Sequence, residues 1–246
     1  MNRYASFDRI IFRRLIVAAF GLTALVAAPG STLAQPEVQS GTPEATWSCD
    51  SVATPAVHDG HVDEDEDADQ ANDTEPTEFD QLYIDMMLPH HGSIIALSKA
   101  ALPHLNDARL QELAKKIIET QGAENAQLTD WRAEWYGSGE PATDDATMDL
   151  MLEAMPVGTM DEMMLQMESA SQVAMFCAAE NPDLAFIDQT IPHHQMAIEA
   201  SEIALEEAEH PELVAFAEDV IAAQQTEIDL LNEILAEIEG VATPAS

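Results

Sequence analysis

The chain of 246 residues contains an internal duplication, and this feature limits its possible folds more than any other. At an offset of 103 positions, residues 83–137 and 186–240 align without a gap and share 18 identities in 55 positions. Both copies contain the string Pro-His-His, which begins at Pro89 and at Pro192. Because a repeated segment forms the same unit twice, we expect two similar substructures that bury their apolar faces against each other.

Each copy has the pattern of a helical hairpin. Apolar residues recur every three or four positions in its second half, which is the spacing of one face of an α-helix. Glycine follows this half at Gly137 and Gly240, where it commonly caps a helix. The predicted helices are Glu78–Leu102 and Asp107–Tyr136 in the first copy, and Asp183–Ala208 and Pro211–Glu239 in the second. We therefore expect an all-α protein in which two hairpins form a four-helix bundle.

The remaining segments differ in composition from the two copies. A basic start, the apolar run Leu15–Ala28 and small residues up to Ala34 are typical of a secretory signal peptide. The next segment is acidic, carries His58 and His61, and is expected to be disordered. The predicted organisation is a signal peptide (1–34), an acidic arm (35–77), the first hairpin (78–137), a linker (138–158), an extra helix followed by the second hairpin (159–240) and a tail (241–246).

The net charge of −37, from 9 basic and 46 acidic residues, restricts the possible partners. A surface this negative repels phosphate backbones and anionic lipids, so neither a nucleic-acid nor a membrane partner is expected. Metal cations are the partners that the charge favours, and no protein partner can be named. With the signal peptide, the sequence predicts an exported protein that is periplasmic, on the cell surface or extracellular. Cys49 and Cys177 could pair in such an oxidising compartment, and the sequence leaves this open.

The motif Asp-x4-His-His occurs once in each copy and is the main candidate metal site. Its residues are Asp85, His90 and His91 in the first copy, and Asp188, His193 and His194 in the second. Imidazole is the commonest metal ligand among side chains, and a carboxylate can bind the ion or orient the imidazole. Neighbouring residues on a helix point about 100° apart. We therefore expect one histidine of each pair to face the bundle interior and the other to face solvent or a second site.

The prolines that precede these histidines leave an alternative open. Pro89 and Pro192 each remove a helix hydrogen bond and are expected to kink or restart the helix. The histidines could then serve only to satisfy the carbonyl groups that this frees.

A polar layer is expected on the apolar face of the second helix of each hairpin. Gln121 and Glu124 fall on this face in the first copy, and Gln224 and Glu227 fall on it in the second. Buried polar groups need partners, and the histidines could meet these side chains inside the bundle, with the four polar residues as hydrogen-bonded partners of the metal-binding histidines. The alternative is a layer that only fixes the register of the helices.

Methionines lie close to both motifs. Met86 and Met87 precede the first histidine pair, Met196 follows the second, and Met160, Met163, Met164 and Met167 form one stripe of the extra helix. Thioether and imidazole together form a soft ligand set, which favours copper over magnesium, calcium or manganese. The alternative is that the methionines only fill the core.

No catalytic constellation is evident in the sequence. A di-iron carboxylate bundle needs two Glu-x-x-His motifs and two further glutamates, and only Glu207-x-x-His210 is present. Phosphate-binding loops, nucleophile elbows and His-Glu-x-x-His motifs are also absent from the sequence. We therefore expect a protein without enzymatic activity.

The strings Met86-Met87-Leu88-Pro89-His90-His91 and Ile191-Pro192-His193-His194, each followed by Gln-x-x-Glu, resemble the family of domain of unknown function 305 (DUF305). The resemblance covers roughly residues 79–240. It implies an exported protein with a ferritin-like helical bundle, and members of the CopM type bind copper in the periplasm through histidine and methionine. The ligands that it implies here are His90, His91, His193 and His194, with Met86 and Met87 as helpers.

These observations predict an exported protein that binds copper, as Cu(I) or Cu(II), for resistance, storage or delivery. Two alternatives stay open: a ferritin-like, metal-dependent oxidoreductase and a metal-free helical interaction protein.

Overall fold

The computed structural model describes residues 47–52 and 78–240, and in these ranges the protein is entirely α-helical. The helices are α1 (Cys49–Val52), α2 (Phe79–Ala101), α3 (Ala108–Tyr136), α4 (Asp145–Ala154), α5 (Met160–Met167), α6 (Ser169–Cys177), α7 (Pro182–Glu207) and α8 (Pro211–Ile238). The predicted signal peptide, most of the predicted acidic arm with His58 and His61, and the tail lie outside the described residues. None of the described helices has an apolar stretch long enough to span a bilayer.

The two copies form two helical hairpins, α2 with α3 and α7 with α8. Their helices begin at aligned positions, 79 with 182 and 108 with 211. Local sequence explains the ends: the Asp107 side chain caps α3, the Asn181 side chain caps α7, and Gly137 ends α3 with a positive φ of 81°. The four helices lie within residues 78–137 and 159–240.

The hairpins join through α2 and α7, which form the centre of a helical bundle. The hydroxyl groups of Tyr83 on α2 and Ser201 on α7 are 2.8 Å apart in the core. At the periphery α3 contacts α8, where Arg109 Nη2 is 2.8 Å from a Glu237 carboxylate oxygen. The apolar faces that the periodicity predicted are thus buried between the hairpins.

The segment between the hairpins is more helical, and more broken, than its sequence suggested. The predicted linker contains α4, and the predicted extra helix is two helices, α5 and α6, separated by extended backbone at Glu168. The side-chain amide of Gln172 donates a hydrogen bond to the Leu165 carbonyl, an acceptor near the end of α5. This bond satisfies a carbonyl that has no partner at a helix end, and it stabilises the interruption.

A disulfide bond joins Cys49 of α1 to Cys177 at the end of α6, with a Cα–Cα distance of 5.3 Å. The pairing that the sequence left open is therefore present. It attaches the short described part of the acidic arm to the segment between the hairpins.

Candidate metal centre

The two Pro-His-His strings lie within long helices that continue through the prolines. Pro89 lies inside α2 and Pro192 inside α7, and neither helix restarts there. Because proline has no N–H group, the carbonyls of Asp85 and Asp188 lose their usual helical donors. In the hydrogen bonds of the described residues, no histidine ring bonds to either carbonyl. The structure therefore does not support the alternative in which the histidines satisfy the carbonyls of Asp85 and Asp188.

All four histidines of the motifs are fully buried, with an exposed fraction of 0%. The expectation that one of each pair could face solvent is wrong, because α2 packs against α3, α4, α5, α6 and α7, and no side of it near the motif is open. The 100° separation instead directs the members of each pair to different neighbours. His90 and His193 meet between the hairpins, whereas His91 and His194 face the second helix of their own hairpin.

His90 and His193 are in direct contact between α2 and α7. Their ring centroids are 3.7 Å apart and the rings are inclined by 35°. His193 Nε2 is 3.0 Å from the His90 carbonyl oxygen and 2.9 Å from the Ser93 hydroxyl. Because a carbonyl oxygen only accepts, Nε2 of His193 must carry the hydrogen, and its Nδ1 must then hold the lone pair.

His194 is oriented by a carboxylate, as metal-bound histidines usually are. Its Nε2 donates to Glu227 at 2.8 Å, and Glu227 also contacts Lys116 Nζ at 3.1 Å. Burial would raise the pKa of Glu227, but the His194 hydrogen bond and the Lys116 contact outweigh it and lower this pKa. The carboxylate fixes the orientation of the His194 ring, and Nδ1 is the ring nitrogen left for a metal ion.

The first copy repeats this arrangement in looser form. His91 Nε2 is 3.1 Å from a Glu124 carboxylate oxygen, but the two atoms are not aligned for a hydrogen bond. The Glu124 side chain is 24% exposed, whereas that of Glu227 is 5% exposed. Gln121 and Gln224 are buried beside these glutamates on their helices. The polar layer therefore exists, and its glutamates meet the histidines.

Several ring nitrogens of this cluster have no hydrogen-bond partner within the described ranges. They are Nδ1 and Nε2 of His90, Nδ1 and Nε2 of His91, Nδ1 of His193 and Nδ1 of His194. Burial lowers the pKa of His90 well below its ordinary value, and the neighbouring histidines lower it further. The pKa of His193 is lowered for the same reasons. Both rings are consequently neutral, which is the form of imidazole that binds metal ions.

The two motif aspartates occupy different environments, and neither contacts a histidine ring in the described structure. Arg132 of α3 pairs with Asp85 through both carboxylate oxygens, and both residues are buried. Asp188 is exposed on α7. Sequence reasoning missed Arg132, although an arginine four residues after Leu128 on the apolar face was a signal for a buried anion. It also missed Ser93, for which no sequence signal existed.

Met86 and Met87 are fully buried in the apolar core, as is Met163 of α5. The core cluster around Met86 and Met87 contains nine of the twelve methionines of the chain. It includes residues of α2, α4, α5 and α7, so thioethers are concentrated on the side of the bundle that α4 and α5 cover.

The types of donor atom in the cluster suit a metal ion, but their present positions do not form a complete binding site. In the ranges described here, no three His, Cys, Asp or Glu side chains already form a group that could hold an ion. The fit comes from chemistry instead: the cluster holds imidazole nitrogens without a hydrogen-bond partner among the described residues, and two of the rings are oriented by an oxygen acceptor at Nε2. Imidazole suits copper, zinc, iron or nickel, and nearby thioethers shift the preference towards copper.

Several solved structures are similar to this chain. CopM in the Cu(I)-bound form is 26% identical to this chain, with a TM-score of 0.50, covering 64% of this chain and 96% of that one. CopM in a co-crystallised Ag-bound form is 27% identical, with a TM-score of 0.49 and the same coverage. A candidate secreted DUF305 protein from Streptomyces coelicolor shares the fold at 19% identity, with a TM-score of 0.54, covering 65% and 93%.

No curated protein sequence matches the chain significantly. The model of the domain of unknown function DUF305 matches residues 58–241, which is most of the chain. The protein therefore belongs to the DUF305 family.

Proposed function

We propose that this protein binds copper, as Cu(I) or Cu(II), outside the cytoplasm. The observation that carries the proposal is the cluster of four fully buried imidazoles, two from each copy, with nitrogens that have no partner in the described residues. An unsatisfied polar group in a protein core costs about 1–3 kcal/mol. Stability alone gives no reason for several such atoms in one place, whereas a bound ion uses their lone pairs.

His90, His91, His193 and His194 are the proposed ligands. The carbonyl of His90 orients His193, and the carboxylates of Glu227 and Glu124 lie behind His194 and His91. Asp85 and Asp188 are not needed as ligands, because Arg132 pairs with the first and the second is exposed. Met86 and Met87, buried on the same helix as the first histidine pair, are the proposed auxiliary ligands.

Copper is favoured over other metals by two observations. The site combines imidazole with nearby thioether, a set that suits Cu(I). The similar protein CopM, 96% of whose chain is covered by the match, has a structure in the Cu(I)-bound form. A role in resistance, storage or delivery requires only binding, so we propose that the protein has no enzymatic activity. We also propose that its helical bundle is ferritin-like and duplicated.

Export is the proposed route to this function. Residues 1–34 have the pattern of a signal peptide, and a disulfide joins Cys49 to Cys177, as is typical of proteins from oxidising compartments.

An anaerobic titration of the purified protein with Cu(I) against a competing chelator tests the proposal. The test variant is His90→Leu, His91→Gln, His193→Leu, His194→Gln, which replaces the ligands and keeps polar side chains towards the two glutamates. The matched control is His58→Gln, His61→Gln, His104→Gln, in which His104 is exposed and His58 and His61 belong to the acidic segment of the sequence. We expect the test variant, folded by circular dichroism, to lose the tightest binding and the control to retain it.

Equal affinity in the wild type and the test variant would contradict the proposal. Thermal unfolding separates the remaining alternatives, because an ion that binds only the folded state must raise the melting temperature. An unchanged melting temperature with excess copper would favour a metal-free interaction protein. Catalytic redox turnover when copper and oxygen are added would favour an oxidoreductase.

A further inference from the structure

A second group of soft metal-binding atoms lies outside the histidine cluster, in an open cavity between α4 and α5. The cavity has a volume of about 500 Å³ and is lined by Met148 of α4 and by Met160, Met164 and Met167 of α5. Positions 160, 164 and 167 share one face of α5. Met163 lies on the other face and is fully buried, so the predicted stripe of four methionines is divided between cavity and core. We call the space lined by the four residues the methionine cavity.

The methionine cavity is accessible from solvent. Met164 is 55% exposed, and Met160 and Met167 are partly exposed. Large apolar side chains grouped at an opening indicate a binding site more often than a single exposed side chain does. Met164 is the most exposed of the four, whereas Met148 is buried and Met160 and Met167 also pack against the core, so the group extends from the core to the opening.

The other lining residues favour a cation. The carboxylates of Asp145, Asp149 and Glu168 line the same cavity, and all three residues are exposed. They make the opening negative within a chain whose net charge is already −37. An apolar ligand gains nothing from three carboxylates, and a hard cation gains nothing from four thioethers. A soft, monovalent cation uses both groups.

The methionine cavity is next to the histidine cluster but shares no ligand with it. Pro89, which directly precedes His90, forms part of the cavity wall. Gln166, the residue before Met167, accepts a hydrogen bond on its carbonyl from Ser93, whose hydroxyl is 2.9 Å from His193 Nε2. The two groups of donors are therefore neighbours that can be removed separately.

We propose that the methionine cavity is a second metal site, selective for a soft monovalent ion such as Cu(I) or Ag(I). Met148, Met160, Met164 and Met167 supply the thioether ligands, and the three carboxylates attract the ion without binding it directly. Neither an electron nor a proton is transferred, because a thioether binds a metal through a sulfur lone pair and carries no ionisable proton. The proposal rests on the proposed function only for the class of metal.

Nuclear magnetic resonance of the protein labelled with ¹³C in the methionine methyl groups tests this site, with Ag(I) as a diamagnetic probe. We expect Ag(I) to shift the resonances of Met148, Met160, Met164 and Met167. The resonances of Met151, Met155 and Met163, which are fully buried on or beside the same helices, should change little. Zn(II) at the same concentration should leave the four cavity resonances in place.

A pair of matched variants measures the stoichiometry. Changing the four cavity methionines to Leu should remove one equivalent of bound Ag(I), since Leu has a similar volume but no sulfur. The control Met151→Leu, Met155→Leu, Met163→Leu should bind as much Ag(I) as the wild type. Unshifted cavity resonances in excess Ag(I), or full binding by the cavity variant, would overturn the proposal.

The histidine variant described above separates the two sites. If this variant loses its tightest copper binding while its cavity methionine resonances still shift with Ag(I), both proposed sites are supported. If it binds copper as the wild type does while the cavity variant loses one equivalent, the methionine cavity stands and the histidine centre fails. If only the histidine variant loses metal, the methionine cavity fails.

Discussion

The two copies of the hairpin place the same Pro-His-His string at the same position of a helix but surround it with different side chains. In the first copy Asp85 is buried against Arg132, whereas its counterpart Asp188 is exposed. Leu235 occupies the position that corresponds to Arg132, so the second copy has no partner for a buried carboxylate there. Two segments with the same Pro-His-His string thus surround their histidines with different side chains.

The histidines themselves differ in the same way. His193 and His194 of the second copy each have Nε2 in a hydrogen bond, to a carbonyl and to the buried Glu227. His90 of the first copy has no hydrogen-bond partner for either ring nitrogen among the described residues. The difference indicates that the second copy holds its imidazoles in fixed orientations, while the first contributes rings whose orientation a ligand can determine. Four predictions break or sharpen this comparison.

Arg132→Leu, which introduces the residue of the second copy, should have the largest effect. It leaves Asp85 buried without its partner, and breaking a buried ion pair in this way costs about 3–5 kcal/mol. Urea unfolding of the metal-free protein measures the loss. The double variant Asp85→Leu, Arg132→Leu should recover most of it, and a loss below about 1 kcal/mol in the single variant would show that the pair contributes little.

His193→Leu should destabilise the metal-free protein more than His90→Leu. His193 loses contacts with the His90 carbonyl and the Ser93 hydroxyl, which amounts to about 1–3 kcal/mol. His90 loses no hydrogen bond, so its replacement by an apolar side chain should leave stability unchanged or raise it. Parallel denaturation curves measure both. Equal losses would mean that the two copies hold their histidines alike.

Glu227→Gln should cost about 1–2 kcal/mol, since it weakens the bond from His194 and removes the charge that Lys116 contacts. Glu124→Gln should cost less than about 0.5 kcal/mol, because Glu124 is more exposed and its contact with His91 is not aligned. Thermal unfolding at constant pH compares them. A larger cost at Glu124 would reverse the assignment of the tighter histidine to the second copy.

Asp188→Ala should have the smallest effect, because the residue is exposed. The free energy of unfolding should change by less than about 0.5 kcal/mol. Copper affinity should also be unchanged, because the side chain lies on the surface. A tenfold or greater loss of Cu(I) affinity in the competition titration would restore Asp188 as a ligand.

The sequence was sufficient to predict the hairpins, because the duplication and the 3.6-residue periodicity both report on the same buried faces. It was also sufficient to predict that Glu124 and Glu227 meet histidines, since a carboxylate on an apolar face needs a partner. The interruption at Glu168 could not be predicted, because it depends on how Gln172 folds back onto the Leu165 carbonyl.

The burial of all four histidines also could not be predicted from the sequence. Periodicity identifies the face of α2 that meets α3, but it does not reveal that α4, α5 and α6 cover the other faces. Met163 and Met164 illustrate the same limit: adjacent methionines have the same local pattern, and only the tertiary structure places one in the core and the other at an opening.

The central claim is that histidines from both copies form one metal centre, and NMR of the ¹⁵N-labelled histidine rings during a titration with Ag(I) tests it most directly. The account predicts that ring-nitrogen resonances of His90 and His193, one from each copy, change together in a single step, while those of the exposed His104 do not. Changes confined to one copy, or an absence of change in all four buried rings at saturating Ag(I), would contradict it.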